Sequence, residues 1–182
     1  MIAGLITAVG LGNLCLIGLL VRWQRVQDTR LASRARPRPV PVLSVGEPAP
    51  GFMVTTVDGT VRSLADMRGD RGVIAFLTPD GEACLARVPD LVEYAAAHPR
   101  GARSVIAVIT AQDGARRTAA TRLAAELRPA VSVVIEPLDG PMQRAYAVPE
   151  HPYFYVIRAN GRITGRGSYI EAFNGAHLRV LA

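Results

Sequence analysis

The first 21 residues, MIAGLITAVGLGNLCLIGLLV, are apolar without an ionisable side chain. As a helix this run would span about 30 Å, the depth of a bilayer's hydrocarbon core. Trp23 follows it, as an interfacial aromatic does. A cleaved leader would need a positive start and a shorter apolar stretch. Residues 1–22 are therefore predicted to be an uncleaved single-pass transmembrane anchor. Inside it, Asn13 is either a tolerated polar group or a contact for another helix. Cys15 reads as a small apolar filler, because thiolate chemistry needs an accessible, electropositive setting.

After the anchor the pattern changes twice. Prolines at 37, 39, 41, 48 and 50 favour an extended, semi-rigid backbone. Residues 23–43 are predicted to be an Arg/Pro-rich juxtamembrane linker, and 44–182 one domain of ordinary size. Within the domain, 51–57 and 60–64 flank Asp58-Gly59, a hairpin signal. The continuous apolar runs 72–78 and 103–111 suit buried strands. Residues 82–97 carry Leu85, Val88, Leu91, Val92 and Ala95 at helical spacing, which predicts one helix kinked by Pro89. A second helix is expected over 114–127 and a strand over 131–136. Strands 153–157 and 162–169 flank Asn160-Gly161, another hairpin signal; a short helix could close the chain over 170–182. Strands alternating with helices predict an α/β fold, its central parallel strands flanked by antiparallel ones.

Composition changes this picture in one respect. The chain has a net charge of +6 and a pI near 10.1, which invites a nucleic-acid reading. The charge is not spread evenly, however: six arginines (22, 25, 30, 34, 36, 38) face only Asp28, whereas from residue 39 onward 15 arginines face 14 acids. The basic excess sits directly behind the apolar run, where each arginine gains roughly 1 kcal/mol from anionic headgroups. Membrane lipid, met through residues 1–38, is the expected partner, and nucleic acid is not. With two cysteines and no Cys/His cluster, neither a disulfide scaffold nor a structural zinc site is expected, and no cofactor is.

Several segments carry a family resemblance. Val45-Gly46-Glu47-Pro48-Ala49-Pro50-Gly51-Phe52 opens the domain, and Thr56-Val57-Asp58-Gly59 precedes Ser63-Leu64-Ala65-Asp66-Met67-Arg68-Gly69. The run from Phe76 to Pro89 (FLTPDGEACLARVP) follows, then Tyr146-Ala147-Val148, His151-Pro152 and Asn160-Gly161-Arg162-Ile163. In order and spacing this resembles the thioredoxin-like redoxins, in particular the membrane-anchored TlpA/ResA and MauD-like thiol–disulfide interchange proteins. The resemblance implies a thioredoxin-like fold, a central mixed sheet flanked by helices. It also implies an extracytoplasmic domain, whereas the arginine cluster favours the cytoplasmic side; the balance leans narrowly to the former.

That family attacks disulfides with two cysteines three apart at a helix start: the first is the nucleophile, held as thiolate by the helix terminus, and the second resolves the mixed disulfide. Here the first position is Gly81 and the second Cys84, with Asp80 where the family has Trp. The site is therefore expected to be degenerate. Cys84 is either a lone catalytic thiol or an inert buried one. The peroxidatic pattern is absent too, since Leu77 and Gly81 stand where it needs Pro and Thr or Ser. Pro152 matches the family's cis-proline, with Pro149 as an alternative register, and His151 would then lie beside Cys84, as a thiolate-stabilising cation or a plain loop residue. Gly81, His151 and Pro152 are the candidate binding residues, and a protein or peptide docking at this surface is the expected second partner.

Overall fold

A computed structural model of the chain describes residues 42–112 and 114–169. The predicted anchor, residues 23–41 of the linker and the expected helix over 170–182 lie outside the described residues. Among the described residues, no helix is long and apolar enough to cross a membrane.

The centre of the domain is a five-stranded sheet of order β5-β4-β3-β6-β7. β3 (Gly72–Leu77) and β4 (Val105–Thr110) are buried at every position, which is why GVIAFL and VIAVIT show no polar alternation. They pair in parallel, and β4 pairs in parallel with β5 (Ser132–Glu136). On the other side β6 (Tyr153–Ile157) runs antiparallel to β3, and β7 (Ile163–Gly167) antiparallel to β6. The alternating side chains of β3 feed two cores. Val73, Ala75 and Leu77 pack with the crossover helices, while Ile74 and Phe76 pack with Met142, Tyr146 and Tyr155 on the opposite face.

The helices are α1 (Glu82–Leu85), α2 (Val88–Ala97), α3 (Ala115–Leu127) and α4 (Pro141–Ala145). The single helix expected over 82–97 is thus two. Pro89 sits in the first turn of α2, where its missing N–H costs nothing; one continuous helix would put its ring against the carbonyl of Leu85. α3 buries Ala120, Leu123, Ala124 and Leu127, the i, i+3, i+4, i+7 stripe of an amphipathic helix. α4 was not expected from the sequence. It is held by the buried carboxylate of Glu136, which accepts the Met142 and Gln143 backbone N–H groups at 3.0 Å each. A side chain at Gly140 would collide with that carboxylate, its Cβ coming 2.5 Å from Cδ.

β1 (Met53–Thr55) and β2 (Val61–Ser63) form the expected hairpin as a separate two-stranded sheet. Buried Arg62 ties it to the main domain, donating to Ser132 Oγ at 2.8 Å and to the Arg103 carbonyl at 2.6 Å. Val42 and Leu43, which composition assigns to the linker, pack against the Tyr146/Tyr155 core. Arg166 holds both of their carbonyls, at 3.0 and 2.8 Å.

Candidate functional site

β3 delivers the chain to the sheet's C-terminal end, where Thr78, Pro79 and Asp80 lead into α1. Gly81 is the N-cap of α1, at φ −81° and ψ 117°, and contributes no side-chain cap. Its carbonyl accepts the N–H groups of Cys84 and Leu85, both at 2.9 Å. The turn places Cys84 beneath the helix start, with 1% of its surface exposed. Its sulfur accepts the Thr78 backbone N–H at 3.3 Å and lies 3.3 Å from the Thr78 hydroxyl.

The geometry at Gly81 is informative about what is missing. A Cβ built there would lie 3.7 Å from Cys84 Cβ and 3.3 Å from its sulfur, but only 2.6 Å from Thr78 Oγ1. The Thr78 hydroxyl therefore fills part of the space a first cysteine side chain would use. Sequence reasoning missed Thr78, although a polar residue ending an all-apolar strand was its signal.

Asp80 reaches across to Arg116 of α3 at 3.1 Å. Both side chains are about half exposed (45% and 55%), so the pair contributes at most a fraction of a kcal/mol.

The His151–Pro152 peptide is cis, the only cis bond among the described residues; Pro149 is not involved. Pro152 is buried and precedes β6 directly. His151 is oriented by β4: its Nε2 lies 3.3 Å from Thr110 Oγ1. Burial pushes its pKa below the ordinary histidine value, against the opposing pull of Asp139 and Glu136. The imidazole is thus kept neutral near pH 7. Of the two roles considered for it, cation beside Cys84 or plain loop residue, its contacts bear on the first only in that its hydrogen-bond partner is Thr110 while those of Cys84 are both on Thr78.

His151 and Pro152 do share a cleft with the helix that bears Cys84. Its volume is about 370 Å³, with Ala83, Ala86 and Arg87 on one side and Glu150, His151 and Pro152 on the other. Ser168 and Tyr169 also line it. Arg87 lies 5.2 Å over the Tyr169 ring and 3.0 Å from Asp90, and Ser168 donates to Glu150 at 2.6 Å. Gly81 and Cys84 do not line the cleft. Its lining therefore presents no sulfur.

Among known proteins, the AhpC/TSA family matches residues 45–166. No curated protein matches the chain. Among solved structures, a secreted Mycobacterium tuberculosis disulfide oxidoreductase homologous to E. coli DsbE is 27% identical, with a TM-score of 0.53, covering 65% of this chain and 83% of that one. A Chlorobium tepidum thiol:disulfide interchange protein of the thioredoxin family is 21% identical (TM-score 0.53), with 73% of this chain and 88% of that one covered. The thioredoxin domain of a Bacteroides vulgatus thiol–disulfide oxidoreductase is 18% identical (TM-score 0.59), with 76% and 99% covered. The fold is thioredoxin-like: a mixed central sheet flanked by helices.

Proposed function

The chain belongs to the AhpC/TSA family, and from that premise we propose that it is a membrane-tethered domain of the TlpA/MauD-like kind, degenerate at its nucleophile, that docks an extended peptide or protein as an accessory factor. One observation carries the reading: glycine stands where the attacking thiol would be, and the cysteine that remains is 1% exposed. Thiol–disulfide exchange by one chain needs an attacking and a resolving thiol in reach of each other. The second cysteine of this chain is Cys15, in the apolar run read as the anchor.

What remains usable is the docking surface. The Pro152 loop and the Ala83/Ala86 face of the helix offer a peptide-sized cleft with a cation at one point and a carboxylate at another. The anchor, supported by the apolar run 1–21 and the arginines behind it, would hold this surface near a bilayer, on the extracytoplasmic side by resemblance to the family.

A second reading is supported by the Thr78 backbone N–H, which donates to the Cys84 sulfur at 3.3 Å with the Thr78 hydroxyl at the same distance. In it, Cys84 attacks one sulfur of a partner disulfide, forms a mixed disulfide and releases the other sulfur as a thiolate. An external thiol must then free the protein. Labelling the full-length chain, in detergent and with Cys15 changed to Ser, with an alkylating probe at pH 7 separates the two. Labelling that waits for denaturant supports the docking role. Labelling of the native chain as fast as a free thiol, together with catalytic turnover in insulin reduction, supports the single-cysteine enzyme and overturns the first reading.

A further inference from the structure

Two charged side chains line the cleft beside Pro152, Arg87 at the start of α2 and Glu150 in the loop before β6. Their situations differ. Arg87 lies 3.0 Å from Asp90 and stands 5.2 Å over the Tyr169 ring, so its charge is matched within the protein. Glu150 is exposed, and its neighbour is neutral: Ser168 Oγ donates to its Oε1 at 2.6 Å. Among the described residues, no cation lies within ion-pair distance of that carboxylate.

His151 does not balance it. Burial keeps that imidazole neutral near pH 7, and the charges that act on it, Asp139 and Glu136, are negative as well. Once Arg87 is matched with Asp90, the cleft is left with one carboxylate in excess. The Ser168 hydrogen bond also fixes where that charge stands. A free glutamate loses rotamer freedom when it grips a partner. This one is already tethered through Oε1, so Oε2 can be shared at a smaller entropic cost. Ala83 and Ala86 of α1 add exposed methyl groups and no polar side-chain atom, which suits a small apolar side chain beside the charge.

We propose, resting on the docking reading above, that this cleft selects a segment carrying a lysine or arginine next to a small apolar residue, and that Glu150 sets the preference. The basic head of the partner meets Glu150 Oε2, and its apolar neighbour lies on the Ala83/Ala86 surface. An acidic segment is the poorer fit. It would face Glu150 unpaired and find the guanidinium of Arg87 already beside Asp90. A wholly apolar segment would take water from the Glu150 carboxylate and give it nothing in return, which is costly for a charged group.

The test titrates dye-labelled peptides Gly-Ala-X-Ala-Gly, with lysine, norleucine or glutamate at X, against the full-length chain in a nonionic detergent at low salt. Binding is read by fluorescence anisotropy. The lysine peptide should bind about fivefold tighter than the norleucine peptide, the upper end for an exposed ion pair, and the glutamate peptide should bind weakest. Added salt should shrink the preference. Glu150→Gln, which keeps an acceptor for Ser168 and so the local fold, should abolish it, and Glu150→Lys should reverse it in favour of glutamate. Circular dichroism checks that both variants fold. Lysine and norleucine peptides binding alike, or a lysine preference that survives in Glu150→Gln, overturns the charge assignment and leaves the docking reading standing. Saturable binding by none of the peptides overturns both.

Discussion

Gly81→Cys, made in a Cys15→Ser background, should give a chain that closes an 81–84 disulfide. The backbone at 81, φ −81° and ψ 117°, is open to any residue. The Cβ separation of 3.7 Å falls within the roughly 3.5–4.5 Å that disulfides use. A bridge closing so short a loop is worth about 2 kcal/mol by the chain-entropy relation. Against it stands Thr78, whose hydroxyl lies 2.6 Å from the new Cβ and must rotate away. Rotation gives up the contact with the Cys84 sulfur, about 0.5–1.5 kcal/mol for a neutral hydrogen bond. The disulfide should therefore form with a net gain of about 0.5–1.5 kcal/mol by those figures, and Thr78→Ala combined with Gly81→Cys should form it more readily by removing the clash.

Mass spectrometry of the alkylated chain, equilibrated against a dithiothreitol series, counts the free thiols. Urea denaturation of the oxidised and reduced forms gives the stability difference. Insulin reduction should appear in the Gly81→Cys chain and be absent without it. Two free thiols persisting under oxidising conditions in both the single and the double variant would refute the reasoning, because the scaffold would then not hold positions 81 and 84 at bonding distance.

Three further outcomes follow from the same geometry. Half-buried His151 has a folded pKa below its unfolded value, so the unfolded chain binds the extra proton, and stability present at pH 7 is lost as the pH falls below about 6.5. Urea titrations at pH 7 and 5.5 should show that loss in the native chain and a flatter response in His151→Gln. Arg62→Met should lower stability by about 2–3 kcal/mol, since it breaks charge-assisted bonds to Ser132 and the Arg103 carbonyl in a buried setting; a change below 0.5 kcal/mol in the same assay counts against that role. Cys84→Ala should cost about 1–3 kcal/mol and leave the fold intact by circular dichroism, because the Thr78 N–H loses its buried acceptor.

How far the sequence revealed this depended on how local each cause was. GVIAFL and VIAVIT announce buried parallel strands because burial on both faces removes the polar alternation. Asp58-Gly59 and Asn160-Gly161 announce their turns because only those residue types take such backbone readily; Gly59 and Gly161 do sit at φ +82° and +76°. α4 was not legible, since its five residues are organised by a carboxylate from the preceding strand. Likewise Tyr94 and His98 read as one edge of a helix. Nothing local says that the loop before β3 and the end of β6 meet them around a cavity.

The site itself was half legible, and the missing half bears on its function. Sequence alone places a glycine three residues before Cys84, but not what occupies the space beside it. Had Gly81 merely lost a sulfur, a void would remain above Cys84, and voids cost packing energy. Instead Thr78 lays its hydroxyl where the side chain would lie, against the surviving sulfur, to which its backbone N–H also donates. Asp80 is drawn aside to Arg116. His151 is turned toward Thr110 and kept neutral. None of the three arrangements prepares an exposed nucleophile. The cleft beside Pro152 is the part of this surface that a partner would use in the docking reading, and a gain of exchange chemistry should require a thiol at 81, which the removal of Thr78 would help to accommodate.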